Sequence, residues 1–476
     1  MRRREFITMS GAAALSSLVL RCGLGRSKSR FVYNKPPLVM EPDRLTDTTG
    51  SFAVADLPDN RPRLPIRFEN VTPLTERLWQ IALSDIEGNI VTIGDVSCFG
   101  SADGTGFPGR PSDIAYSGIL GLNFLYPDIM RQSLETIRNA VFQAGLRVPP
   151  KMVPKEIEAD WKTVNMDEKA FRDRYRIRSY LRRTDDVAWL WCARELIEKS
   201  ENPEEWRWLH ENGKKCFDEY YQPFFDETDG LYRGQMSFID IHETGSPSSG
   251  YPQDWSVMDC IMIKALSTNC LYVKGLEAMG EAASKMGRED ESRAWLERSL
   301  ALKVAILHEL SNPDGSLASY KDRAGNRSGQ RDALGTALAV LTNVVRNEAA
   351  RDVLKDYPLT DAGIPLFYPF YSHGGTYYNQ ASWPFVDTLF IRALEKAGGR
   401  NMTDYNAALL ARTCGRTFRL EGGEPAPYAA PPEHQGTFHE WIYFPGKQVM
   451  GKGRHLKTAA AFVDVCSRAN LEAYIL

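Results

Sequence analysis

Carboxylates, hydrogen-bonding side chains and aromatic rings gather on a few stretches of this chain. These are the residue types that grip a sugar, whose hydroxyls take paired polar contacts while its apolar ring face stacks on an aromatic. The first stretch reads Gly104-Thr105-Gly106-Phe107-Pro108-Gly109-Arg110-Pro111-Ser112-Asp113, and the second Arg183-Thr184-Asp185-Asp186 followed by Val187-Ala188-Trp189. A third holds Ser237-Phe238-Ile239-Asp240-Ile241-His242-Glu243 and then Tyr251-Pro252-Gln253-Asp254-Trp255. Two more follow, one from His373 through Tyr377-Tyr378-Asn379-Gln380-Ala381-Ser382-Trp383-Pro384, the other Gly436-Thr437-Phe438-His439-Glu440-Trp441. Other chemistries lack their marks. His373 and His439 have no serine or cysteine partner of the triad kind. No paired-His or close CxxC pattern offers metal ligands, and no glycine-rich phosphate loop occurs, so neither a metal nor a cofactor is expected.

To converge, these stretches must be carried by elements that share one end. Apolar residues at i, i+3, i+4 and i+7 can be followed through about a dozen segments, approximately 75–91, 112–125, 128–144, 185–199, 204–221, 256–286, 289–310, 330–343, 347–355, 380–397, 403–419 and 453–469. Short connections alternate with long ones at 92–111, 145–184, 223–255, 311–329, 356–379 and 420–452. Loops beyond ~12 to 15 residues are uncommon in compact domains and usually functional. The helix after a long loop is apolar nearly all round, as in 187–193 and 257–272, whereas its partner is amphipathic, as in 289–310. That difference separates buried from outer helices. The expectation is an all-α (α/α)6 barrel, six inner and six outer helices, over residues 74–476. An α-solenoid is the competing architecture, but its repeat of roughly 33 to 47 residues is not evident.

Residues 31–73, rich in Pro and Asp with β-like pieces at 51–54 and 64–68, read as an arm packed on the barrel, too short for a core of its own. Of 58 Lys+Arg and 61 Asp+Glu, seven and one fall within residues 1–30, which leaves a body of 51 against 60, net −9. Such a body argues against a nucleic-acid or anionic-membrane partner. No later apolar run reaches the ~18 residues of a membrane span. Arg2-Arg3-Arg4-Glu5-Phe6-Ile7 ahead of the small, apolar stretch 9–20 has the layout of a twin-arginine export signal, so a periplasmic or secreted protein is expected. Arg21 before Cys22 argues against a lipobox. Buried thiols are the default for Cys192, Cys260 and Cys270.

With these segments in order, the chain resembles the six-hairpin glycosidases, an (α/α)6-barrel superfamily of glycoside hydrolases, specifically the barrels of amylo-α-1,6-glucosidase (glycogen debranching) and processing α-glucosidase type enzymes. Gly106-Phe107-Pro108 to Asp113 is similar to the family segment that contacts the sugar being cleaved. Phe238-Ile239-Asp240 falls where the family has Trp-Met-Asp, whose Asp is the general acid. Tyr377 to Pro384 is similar to Tyr-His-Asn-Gly-Thr-Val-Trp-Pro, and His439-Glu440-Trp441 to the loop bearing the base. The resemblance implies an inverting exo-acting α-glycosidase on a gluco- or manno-configured oligosaccharide, with Asp240 as acid and Glu440 as base. Inversion sets the carboxyls ~6.5 to 9.5 Å apart, retention ~5 to 5.5 Å. Phe107, Arg110, Asp113, Asp185, Asp186, Trp189, Glu243, Trp255, Tyr378, Asn379, Trp383 and Trp441 are the expected substrate contacts.

Plainer roles stand beside these. Glu243 or Asp254 could replace Asp240 as acid, and Glu440 could pair with Lys452 or Arg454. One of Asp185 and Asp186 suits a helix cap. Arg110 and Asp113 could form a structural ion pair, and Trp189 and Trp383 could be core. A polysaccharide lyase on a similar barrel would place Tyr and His at the centre among several cations. A non-catalytic carbohydrate-binding protein would leave the two carboxylates facing different ways.

Overall fold

The computed structural model describes residues 38–59, 66–68, 71–100, 110–143, 183–240, 250–252, 255, 257–372, 376–399, 402–415, 418–421, 424–427, 435–468 and 473–475. The export-signal segment 1–30 lies outside the described residues. The described chain is mostly helical, with small two- and three-stranded sheets, so the all-α expectation is modified.

Twelve helices of seven or more residues stand among the described residues: α1 Pro73–Glu87, α2 Pro111–Ser117, α3 Pro127–Gln143, α4 Arg183–Leu196, α5 Pro203–Lys215, α6 Leu266–Lys285, α7 Glu289–Leu310, α8 Ala333–Leu341, α9 Asn347–Leu354, α10 Pro384–Lys396, α11 Thr403–Arg412 and α12 Leu456–Arg468. Their starts follow local chemistry. Thr72 caps α1 by accepting from Thr75 N–H, Asn202 caps α5, and Asp332 caps α8. Pro at the first position opens α1, α2, α5 and α10, where a missing N–H costs nothing.

The even-numbered helices contact one another in order: α2 with α4, α4 with α6, α6 with α8, α8 with α10, α10 with α12, and α12 again with α2. The odd-numbered helices lie against them, α1 on α12, α3 on α2 and α4, α5 and α7 on α6, α9 on α8, and α11 on α10 and α12. Burial follows this division. Every residue from Val187 to Ala193 in α4 and from Leu266 to Val273 in α6 is buried, whereas α7 buries Ser292, Trp295, Ser299, Leu302, Ile306 and Leu310 at helical spacing. Leu334 and Leu338 of α8 are wholly buried, so truncating either to Ala would cost roughly 2–5 kcal/mol. Close crossings need small residues: a Cβ on Gly118, just past α2, would lie 2.4 Å from the Cys192 sulfur of α4. Cys192, Cys260 and Cys270 are buried, as expected. No helix of the described residues is long and apolar enough to cross a membrane.

Several expected helical segments carry strands, because the backbone there pairs with another stretch of the chain. The segment 256–286 is interrupted after Val257–Met262, because Lys264–Ala265 pairs antiparallel with Tyr320–Lys321 and Leu266 N–H donates to Ser319 O. The Lys264 ammonium sits between Asp226, at 2.9 Å, and Asp229, which anchors the interruption. In 380–397, Ala381–Ser382 is a strand and the helix begins at Pro384. Beyond α11, Phe418–Glu421 pairs with Glu424–Pro427 where helix was expected to reach 419. Apolar spacing records which faces are buried and carries nothing about a backbone partner across the molecule.

The β-like pieces of the arm are strands. Val39–Met40, Arg44–Asp47 and Gly50–Ala53 form an antiparallel sheet on α11, where Asp47 pairs with Arg412. Ile66–Phe68 pairs with Ala473–Ile475. Asp361 accepts from Thr48 and from Lys447 at 2.7 Å, so the arm also touches the loop that carries Glu440.

Candidate active site

A cavity of about 350 Å³ opens where the starts of α2 and α12 meet the segments before α6 and α10. Its size is at the lower end of small-molecule sites. Arg110, Ser112 and Asp113 line it from α2; Phe238 and Asp240 from the third long connection; Tyr377, Tyr378 and Trp383 from the fifth; Glu440, Trp441, Gly451, Lys452, His455 and Lys457 from the sixth and from α12.

Glu440 is held by a sheet. Ala381–Ser382, Trp441–Tyr443 and Gln448–Met450 pair antiparallel in that order, with Ser382 opposite Ile442 and Trp441 opposite Met450. Tyr377 Oη donates to Glu440 Oε1 at 2.5 Å, a charge-assisted bond. Burial, then the Glu440 charge, keeps the Tyr377 phenol far above its ordinary pKa, so it remains a donor. Gly451, at φ +82°, closes the other side: a Cβ there would lie 2.6 Å from Glu440 Oε2. The preceding residues are clamped. His439 Nδ1 faces the carbonyls of Thr437 (2.8 Å) and Thr413 (3.1 Å), which places its proton on Nδ1, and Thr458 Oγ1 donates to His439 O. Phe438 N–H donates to Asp85 Oδ2 at 2.8 Å; burial drives the Asp85 carboxyl up to about 8, against this N–H and the Arg454 charge.

Asp240 stands differently. Its Oδ2 accepts from Tyr378 Oη at 3.1 Å and the residue is half-buried. The backbone leading to it is strained, with Phe238 at φ +55°. Deeply placed groups impose that conformation: Met236 N–H donates to Tyr251 Oη, Ser237 N–H to Ser267 Oγ, and Gln235 Nε2 to Ile239 O. The Phe238 ring packs edge-on against Tyr378, Trp383 and Phe385.

Between the two walls, Lys457 Nζ lies 2.7 Å from Asp113 and 4.7 Å from the centre of the Phe385 ring. Burial pushes Asp113 upward, but Lys457, with His455 and Arg110 beyond it, outweighs that and holds the carboxyl below its ordinary range. Asp113 is therefore paired with Lys457.

Of the expected residues, Asp240, Glu440, Arg110, Asp113, Tyr378, Trp383 and Trp441 line this one cavity. Trp189 does not: it is 2% exposed, packs on Trp208 and donates to Leu134 O, so it is core. Asn379 is buried with its amide engaged by both backbone groups of Tyr371, a brace for the loop. Trp255 packs on Tyr251 and Tyr320 and is absent from the described lining. Phe107, Glu243 and the rival Asp254 lie outside the described residues, as do the side chains of Asp185 and Asp186. Tyr377, Lys457, His455 and Gly451 were missed. Only Tyr377 carried a signal, as the neighbour of Tyr378 in a motif segment. Among the described residues no cluster of His, Cys, Asp and Glu could hold a metal ion.

No family model matches this chain, and no curated protein matches its sequence. Solved structures are similar in fold. A GH78 family rhamnosidase of Bacillus sp. GL1 superposes with TM-score 0.52 at 14% identity, over 88% of this chain and 36% of that one. A sialidase gives 0.53 at 10% identity, over 86% and 34%. A glycosidase in complex with glucose gives 0.50 at 14% identity, over 83% and 98%. The chain thus spans about a third of the rhamnosidase and sialidase chains and nearly all of the third. Likeness at this identity is one of fold.

Proposed function

We propose that this chain is a glycoside hydrolase on an (α/α)6 barrel, an inverting exo-acting α-glycosidase for a gluco- or manno-configured oligosaccharide. Asp240 is the general acid and Glu440 the general base. One observation carries the reading: Tyr377 and Tyr378, consecutive residues of the single helical turn Thr376–Asn379, each hold one of two carboxylates that line the same cavity. The closed order of contacts among the even-numbered helices supports the barrel. The glycosidase neighbours, one with glucose bound, support the substrate class.

Asp240 gives its proton to the glycosidic oxygen as the bond to the anomeric carbon breaks. Glu440 takes a proton from the water that attacks the opposite face. A phenol donating to Glu440 favours its ionised form, which is the form a base needs. Trp383 and Trp441 border the cavity as largely buried walls, Trp383 stacked on Tyr378.

The lyase reading is favoured by the cations Arg110, Lys452 and Lys457. Tyr377 is ill suited to be its base, since burial and the Glu440 charge keep that phenol far above its ordinary pKa, and the phenols of Tyr377 and Tyr378 are engaged with the two carboxylates. Hydrolysis is the better account. Purified protein offered aryl α-glycosides and α-linked disaccharides should release a sugar whose first-formed anomer, read by proton NMR, is β. Release of the α anomer would replace inversion by retention, and a product with a new carbon–carbon double bond would replace the hydrolase by the lyase.

The segment 1–30 is read as a twin-arginine signal that takes the folded enzyme out of the cytoplasm. Arg3→Lys with Arg4→Lys should then leave the protein in the cytoplasmic fraction; unchanged export would refute the signal.

A further inference from the structure

The outer helix α7 meets solvent with an apolar row that its neighbours lack. On α5, which shares the wall of α6 with it, the exposed side chains after Pro203 are Glu204, Arg207, Glu211, Lys214 and Lys215, all charged. No large apolar side chain of α9 is exposed either. On α7, by contrast, Leu296, Leu300, Val304 and Leu307 are 37–53% exposed. Steps of four, four and three residues set them in one stripe along the helix. The exposed Ala294 and Ala301 widen it on one side, and the opposite face, with Trp295, Leu302 and Ile306, is the one buried on α6. Single exposed apolar residues are ordinary, whereas a contiguous row marks an interaction surface.

The layout of the row fits its own copy. Leu296 and Val304 stand four residues to either side of Leu300, so a two-fold axis through Leu300 lays the stripe on itself with the two helices antiparallel. That orientation also opposes the two helix dipoles. It carries the exposed Glu289, at the head of each stripe, toward the far end of the other, where the exposed Arg327 donates to the carbonyls of His308 and Glu309. Nearer charges are offset within the helix, Asp290 by Arg293 and Glu291 by Arg288. A parallel arrangement would set Glu289 against Glu289. The end of α7 lies at the cavity's end of the molecule, because Tyr320 beyond it pairs with Ala265 just before α6. Antiparallel copies therefore turn their cavities in opposite directions. We infer that α7 is the interface of a symmetric dimer of this chain, in which Leu300 of both copies meets on the two-fold axis. The inference is independent of the reaction assigned to the cavity. Stable dimers commonly bury ~800 Å² per partner. A helix of 22 residues supplies only part of that, so the dimer is a weak one, with Kd on the order of 10 µM.

Sedimentation velocity on the purified chain, from about 1 to about 200 µM, should show the mass rising from one copy toward two. Leu300→Glu sets two like charges face to face on the axis and should raise Kd about 100-fold or more. The side chain is exposed in the single copy, so the fold tolerates the change, which circular dichroism checks. Cysteine cross-linking in a Cys22→Ser background tests the orientation. Leu300→Cys should join two copies on mild oxidation, because facing positions of packed antiparallel helices come within disulfide range. Leu307→Cys should not join to itself, since seven residues on each side of the axis separate the two thiols by about 21 Å. A dimer lost in Leu300→Glu and captured by Leu300→Cys alone is the expected result. A single copy at every concentration would overturn the inference and leave the stripe to an unlike partner. A dimer that Leu300→Glu leaves intact, one that Leu300→Cys fails to capture, or one captured equally through Leu307→Cys would overturn it as well.

Discussion

The two walls of the cavity hold their carboxylates in unlike ways. Glu440 leaves a three-stranded sheet, accepts a phenol at 2.5 Å, and has a glycine-only position against its other oxygen. Asp240 follows a strained residue, accepts a phenol at 3.1 Å, and is half-buried. A base that must stay ionised and aim one water gains from rigid donors. An acid that must lose and regain a proton within one cycle is served by a looser bond and a nearby apolar ring, Phe238. The difference in support thus parallels the difference in proposed role.

The sharpest way to break that parallel is to remove each carboxylate. Glu440→Gln and Asp240→Asn should each lower kcat on an unactivated glycoside by about 10²–10⁴-fold. On a dinitrophenyl glycoside, whose leaving group needs no proton, only Asp240→Asn should recover; if both recover equally, the roles are not divided in this way. Next in size is Gly451→Ala. The added Cβ must displace Glu440 and sits at a φ that disfavours a side chain, so kcat should fall about 10²-fold and stability by roughly 1–2 kcal/mol. Equal kcat in this variant would show that Glu440 is not positioned by its wall.

The phenols sharpen the comparison further. Tyr377→Phe should lower kcat about ten-fold and Tyr378→Phe only a few-fold, with KM nearly constant in both; the reverse order would mean that the tighter bond is merely structural. The smallest effect concerns pH. Asp85, beneath the Glu440 wall, has its folded pKa raised to about 8. At low pH both folded and unfolded forms are protonated; above about pH 4 the unfolded form ionises first. Stability therefore falls as pH rises from about 4 to about 8 and then levels. Asp85→Asn should flatten this decline, raising Tm at pH 8 relative to wild type by on the order of 2 °C and leaving the pH 4 value close to wild type. A parallel Tm–pH curve for the variant would remove Asp85 from the account.

Much of the helix pattern was legible because it is a local property. The segment 289–310 coincides with α7, since an amphipathic run with acids at its start and few breakers admits one reading. The inner helices were visible as fully apolar runs, yet 256–286 was misread as one helix because a strand pairing 55 residues away, Ala265 with Tyr320, leaves no trace in apolar spacing. Trp189 shows the same limit at the site. Its type and its place beside Asp185 and Asp186 matched a sugar platform, but the side chain turns toward Trp208 and Leu134 O. Lys457 was missed for the converse reason: in sequence it is one lysine among many, and only packing sets it 2.7 Å from Asp113.

The order of residues along the chain determined which segments are helices, which face of each is apolar, and that acidic and aromatic groups crowd the long connections, because these depend on neighbours within a few positions. Which carboxylate meets which hydroxyl, which tryptophan faces the cavity and which lysine neutralises which aspartate were decided by tertiary structure. These contacts join residues tens to hundreds of positions apart, and a hydrogen bond or ion pair depends on ångström-scale separation in space, which composition and periodicity do not contain.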